Sequence, residues 1–100
     1  MAKKIIWSNK AQNDLKQILH YWTVRNKSKS YSSKLHSLFQ AAVELIAKHP
    51  AIGASTDFNY VRSKVVYHFQ VFYKDTEDTV FILAIWDSRQ DPEKLARRFS

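Results

Sequence analysis

The run VFILAIW, Val80 to Trp86, contains no polar side chain, and it constrains the fold more than any other segment of the chain. A strand with one wet face alternates apolar and polar residues, so an unbroken apolar run of strand length calls for cover on both faces. Val80 to Trp86 is therefore expected to be a central strand. The stretch before it, VRSKVVYHFQVFYK, behaves differently. After a bend near Val66 to His68, the residues Phe69, Val71 and Tyr73 fall on one side and His68, Gln70 and Lys74 on the other, the pattern of a half-buried strand. The polar link KDTEDT, Lys74 to Thr79, makes these two runs an antiparallel hairpin.

The first half of the chain reads as helix. Ile5, Ile6 and Trp7 form a short strand that ends at Ser8 and Asn9, both good helix N-caps. From Ala11 onward, Leu15, Ile18, Leu19 and Trp22 recur at helical spacing, and Asn26 to Ser30 breaks the stripe. A second stripe runs through Tyr31, Leu35, Leu38, Ala42, Leu45 and Ile46 to Ala47. Lys48 and His49 suit a helix C-terminus, and Pro50 and Gly53 stop it. Two amphipathic helices joined by a short polar turn need a surface to cover, and the sheet supplies one. After Pro92, Glu93 to Phe99 is expected to form a short basic helix. The expected fold is α+β: a small twisted antiparallel sheet packed against an N-terminal helical hairpin, in the order β-α-α-β-β-β-α. No repeat or linker divides residues 1–100, which are expected to form one domain.

Charge narrows the partners. The 100 residues carry a net charge of +7, and all of the excess lies in residues 1–56, where nine Lys or Arg face only Asp14 and Glu44. Residues 57–100 hold seven charges of each sign. A basic surface attracts nucleic acid, ribosomal surfaces or an acidic protein, and it also keeps a small domain soluble. The lysines are scattered along helical faces, which does not favour direct nucleic-acid contact over partner docking. There is no cysteine, so disulfides and thiolate metal sites are excluded. The first residues hold no apolar run of signal-peptide or membrane-span length, so a cytoplasmic location without membrane contact is expected.

Two arginines bracket the strands. Arg62 opens the first and Arg89 follows the second, within the polar cluster Asp87-Ser88-Arg89-Gln90-Asp91. Guanidinium groups fit phosphate bidentately and stay charged at any physiological pH. His68 is the natural acid or base, because imidazole is the side chain suited to proton exchange at physiological pH. Arg62, Arg89 and His68 are accordingly the catalytic candidates, with Lys64, Tyr67, Asp91, Arg97 and Arg98 as candidates for binding phosphate or a target. The plainer reading of His68 is a turn histidine without a positioned partner, and that of the polar cluster is an ordinary turn. His20, His36 and His49 have no metal-binding spacing. No cofactor or metal is expected.

The ordered set DLKQILHYW, Pro50 with Gly53, VRSKVVYHFQVFY and ILAIWDSRQDP resembles the RelE/ParE superfamily of toxins from type II toxin-antitoxin systems. Its most specific part is Arg62 followed by Phe72-Tyr73, then the buried strand ending in Arg89-Gln90-Asp91. The resemblance implies a cognate antitoxin whose extended, often acidic segment wraps the toxin in a hetero-oligomer. It also implies one of two targets: DNA gyrase for ParE-like members, or mRNA on the ribosome for RelE-like endonucleases. A third outcome is a toxin-like binding module without activity. Catalytic members commonly place a tyrosine or histidine near the C-terminus, where this chain has only Phe99 and Ser100. Tyr67 stands where ParE-like sequences often have glycine. The missing terminal acid favours a non-enzymatic inhibitor or an inactive toxin-like module over a ribonuclease, and Tyr67 implies a bend of different shape from the ParE-like one.

Overall fold

The computed structural model describes residues 2–87. Strand β1 (Lys4–Trp7) leads into helix α1 (Asn9–Asn26) and helix α2 (Ser30–Lys48). A single 3-10 turn (Pro50–Ile52) then precedes β2 (Ala54–Ser55), β3 (Arg62–Val66), β4 (Phe69–Asp75) and β5 (Thr79–Asp87). The expected order of elements is present up to β5, with the two-residue β2 added. The helix expected after Pro92 lies outside the described residues.

The strands form one sheet in the order β1-β5-β4-β3-β2. Strands β2 to β5 pair antiparallel, as expected, while β1 joins β5 in parallel, so the sheet is mixed. Strand β5 thus has a neighbour on each side, which is what its apolar run requires. Its two faces are also covered. Toward the helices, Val80, Ile82 and Ile85 pack with Phe69, Val71 and Tyr73 of β4 against Leu35, Phe39, Val43 and Ile46 of α2. On the opposite face, Trp86 and Leu83 meet Phe72, Val61 and Phe58 in a smaller cluster. A bulge makes this compatible with a period of two: Phe72 pairs with Ala84 and Tyr73 with Ile82, so Leu83 is the extra residue. The alternation shifts there, and Ile82 and Ile85 both reach the main core.

Ser8 ties three elements together. Its Oγ caps α1 by accepting from the Ala11 amide at 3.0 Å and donates to the Leu83 carbonyl of β5 at 3.0 Å. One turn further on, the buried Asp14 carboxylate accepts from the Ile85 amide at 3.1 Å. Beyond the end of β1, then, side chains of α1 continue to satisfy the exposed edge of β5. The hairpin closes through a 2.8 Å hydrogen bond between the Thr23 and Ser32 hydroxyls and through Trp22 against Tyr31, with ring centroids 5.0 Å apart. Lys27, with φ 50°, ends α1 in the left-handed conformation usually given to glycine. No helix of the described residues is long and apolar enough to cross a membrane.

Ser8→Ala removes a cap and orphans the Leu83 carbonyl in one step, and is expected to lower stability by about 1–2 kcal/mol in denaturant unfolding. Ser8→Asp restores the cap without the donor and recovers only part of the loss.

Candidate functional site

The start of β3 is organised by a tyrosine that never meets solvent. Tyr73 is fully buried on β4, and its hydroxyl donates to the Pro50 carbonyl at 2.5 Å and accepts from the Gly53 amide at 2.9 Å. Gly53 is the single glycine of the chain. Its φ of −75° is open to any residue, so the requirement is for space. A Cβ at this position would lie 2.5 Å from the Tyr73 hydroxyl, 2.8 Å from its ring and 2.9 Å from the Ser63 carbonyl. The Gly53 carbonyl in turn accepts from Arg62 Nη1 at 2.9 Å. Arg62 is therefore half-buried, with one side of its guanidinium committed to backbone.

Register decides which candidates share a surface. Arg62, Lys64 and Val66 pair with Tyr73, Val71 and Phe69, so all three point to the helix side of the sheet. Arg62 and Lys64 are neighbours on this face, and Lys64 is half-buried. His68 lies at the other end of β3, about 20 Å from Arg62 along the strand. It is exposed in the two-residue turn Tyr67–His68, and its ring leans on Tyr67 with centroids 4.2 Å apart. Tyr67 has φ 60° while His68 does not share the positive φ, the pattern of a type II′ turn. That turn favours glycine at its first position, which here is held by Tyr67. Tyr67 remains largely exposed and closes a small cavity of about 60 Å³ with Tyr31, Lys34, Leu35 and Leu38. Arg89, Asp91, Arg97 and Arg98 lie outside the described residues.

Gly53 organises this region and Asp14 anchors α1 to β5, and neither role shows in local periodicity. Beside Pro50, Gly53 has the look of a helix stop, although a lone glycine in a chain of this length is itself a signal of close backbone approach. By residue type alone Asp14 is one of the two acids of residues 1–56. Its spacing from Ala11, Leu15 and Ile18 puts it on the buried stripe of α1, where a carboxylate needs a donor.

Burial pushes the Tyr73 phenol above its ordinary pKa, partly offset by the Gly53 amide and the Arg62 charge, with Asp75 adding a further upward push. A raised folded pKa means that the neutral phenol belongs to the folded state and the unfolded chain ionises first. The contribution is complete below pH about 10 and is lost as pH rises through that value toward the folded pKa. Tyr73→Phe should flatten this alkaline limb while lowering stability near neutrality by about 1–3 kcal/mol, since a buried amide and carbonyl lose their partner. Gly53→Ala is expected to cost about 2 kcal/mol by overpacking. The double variant should lose less than the two single losses together, because removing the hydroxyl relieves the closest contact.

The model of the family described as "ParE toxin of type II toxin-antitoxin system, parDE" matches residues 5–92. A chain of the solved structure titled "Chromosomal ParDE TA system from P. aeruginosa" has the same fold. It superposes with a TM-score of 0.74 at 19% identity, over 86% of this chain and 96% of that one. No curated protein sequence matches closely enough to count as a relative. The mixed sheet under a helical hairpin and the match over most of the length give one conclusion: the chain belongs to the ParE toxin family of type II toxin-antitoxin systems.

Proposed function

We propose that this chain is a growth-inhibiting toxin that acts on DNA gyrase in the cytoplasm and is held inactive by a cognate antitoxin. Residues 1–100 act as one toxin domain. The observation that carries this reading is the ParE family match over residues 5–92. Charge supports the antitoxin half of it. The helical hairpin and its flanks hold nine Lys or Arg, and of their two acids Asp14 is buried against Ile85, which leaves Glu44 as the exposed carboxylate. Such a surface favours an acidic partner by long-range attraction.

For the target, the exposed Tyr67–His68 turn and Lys64 are the proposed contacts on the described residues, with Arg89, Asp91, Arg97 and Arg98 completing the basic end of the chain. Arg62, at the other end of β3, is braced on the Gly53 carbonyl and keeps the rest of its guanidinium for an anion. In an inhibitor that works by contact, His68 needs no proton transfer. A ribonuclease would need His68 as acid or base beside the phosphate-binding cations.

Two assays separate these mechanisms. The purified protein is expected to inhibit supercoiling by gyrase and to leave mRNA intact on translating ribosomes in primer extension. His68→Ala is expected to retain growth inhibition within about threefold, because loss of one rim contact changes binding by less than about 1 kcal/mol. Codon-phased, ribosome-dependent cleavage that disappears in His68→Ala would replace the gyrase reading with the ribonuclease one. Full activity of both gyrase and translation would leave an inactive binding module.

A further inference from the structure

Tyr67 is held in a conformation that its own contacts do not explain. It takes the first position of the β3–β4 turn at φ 60°, where a Cβ is disfavoured and glycine is at ease. Its ring is 62% exposed, and its hydroxyl has no hydrogen-bond partner among the described residues. The ring of His68, on which it leans, is exposed as well, so the contact buries little of either. Strained residues persist where their geometry serves a site, and this one closes a hollow. With Tyr31, Lys34, Leu35 and Leu38, the Tyr67 ring bounds a cavity of about 60 Å³ between α2 and the turn. Leu35, 1% exposed, lies at the bottom, and Leu38, 40% exposed, at the mouth. The space is that of two waters at about 30 Å³ each, enough for the branched end of one aliphatic side chain. Lys34 is the charged member of the lining. It is exposed and has no hydrogen bond or ion pair among the described residues. Its neighbours three and four residues away on α2, Ser30, Tyr31, Ser37 and Leu38, offer no carboxylate.

We propose that this hollow is the anchor point for the toxin's target: it takes one branched aliphatic side chain, and Lys34 binds a carboxylate beside that side chain. The proposal rests on the reading above, in which the Tyr67–His68 turn contacts the target, and adds what that turn recognises. Charge selects the occupant. Lys34 lies on the hollow itself and Lys64 on the helix side of β3, with no carboxylate in the lining. A second copy, itself carrying +7, would bring like charge to both lysines. An apolar residue next to an Asp or Glu satisfies the hollow and the cation together. Contact surfaces draw most of their affinity from a few side chains buried in such pockets, ringed by groups that exclude water. Tyr67 is one wall of that ring. Glycine there would relax the backbone and open the hollow to solvent, so the strained tyrosine belongs to recognition and not to the turn.

The test compares the full chain with Tyr67→Gly in thermal unfolding and in inhibition of gyrase supercoiling. The variant should unfold at the wild-type temperature or up to about 4 °C above it, because strain is relieved. Its inhibition should weaken by about fivefold or more. A smaller loss of inhibition overturns the proposal, as does a fall in unfolding temperature, which would make the ring structural. Lys34→Glu, on an exposed position, should unfold with wild type and also lose about fivefold or more; retained inhibition overturns the role of the cation. A second probe does not depend on gyrase. 4-Methylpentanoate, a branched aliphatic end with a carboxylate, should bind at millimolar concentration in an NMR titration and shift the Leu35, Leu38 and Tyr67 signals. The neutral 4-methylpentanamide should bind more weakly, and Tyr67→Gly should bind neither. Shifts confined to other surfaces, or none, overturn the hollow as a binding site. If wild type and Tyr67→Gly inhibit gyrase equally, the hollow is wrong and the toxin reading stands. If Tyr67→Gly loses antitoxin affinity alone, the occupant is the antitoxin and the proposal falls. If wild type inhibits nothing while the carboxylate still binds beside Tyr67, the gyrase reading falls and the hollow stands.

Discussion

Strand β5 carries side chains that water would reject on either face, and its backbone needs hydrogen-bond partners along both edges. Most of the fold can be understood as the means by which a chain of 100 residues meets those demands. β4 takes one edge along its whole length. β1 takes the other edge for four residues and then leaves it to Ser8 and Asp14, which act from the first turns of α1. The helix is therefore anchored to the strand by hydrogen bonds as well as by apolar contact. Apolar contact alone would tolerate some sliding of the hairpin over the sheet. Two directional bonds to consecutive parts of one strand do not.

A second centre of order lies where the chain leaves the hairpin and returns to the sheet. The Tyr73 hydroxyl holds both ends of the short segment from Pro50 to Gly53, and Arg62 holds the carbonyl that follows. The Arg62 end of β3 is thus positioned from within the core. Arg62 contributes both to fold and to surface charge, so its replacement tests two things at once. His68 is exposed in the turn between β3 and β4, so its substitution bears more directly on the surface than on the fold.

How much of this could be read from the residues alone depended on the range of the interaction. The helices, the β3–β4 bend and the buried run of β5 follow from local periodicity, and their boundaries lie within a few residues of the expected ones. The parallel pairing of β1 is not local, because Ile5, Ile6 and Trp7 would look the same with either direction of neighbour. The bulge at Leu83 is equally hidden in a run without polar residues. The contact between Gly53 and Tyr73 joins positions twenty residues apart, and no spacing rule encodes it. At the candidate site, the residue types were legible and their arrangement was not. Arg62 and His68 looked like members of one constellation, yet they stand at opposite ends of a five-residue strand. The Arg89 half of the pair lies outside the described residues.

The shortage of glycine has a thermodynamic side that the folded geometry does not display. The one glycine is used for close packing, so among the described residues the left-handed positions fall to Lys27, Tyr60 and Tyr67, each strained by about 1–2 kcal/mol in the folded state. The same composition stiffens the unfolded chain. Residues with a Cβ explore fewer backbone conformations than glycine, so less entropy is surrendered when those turns form. Local strain in the native state and a smaller denatured ensemble act in opposite directions. For a domain with a core this small, stability is set partly by the state in which none of its contacts exist.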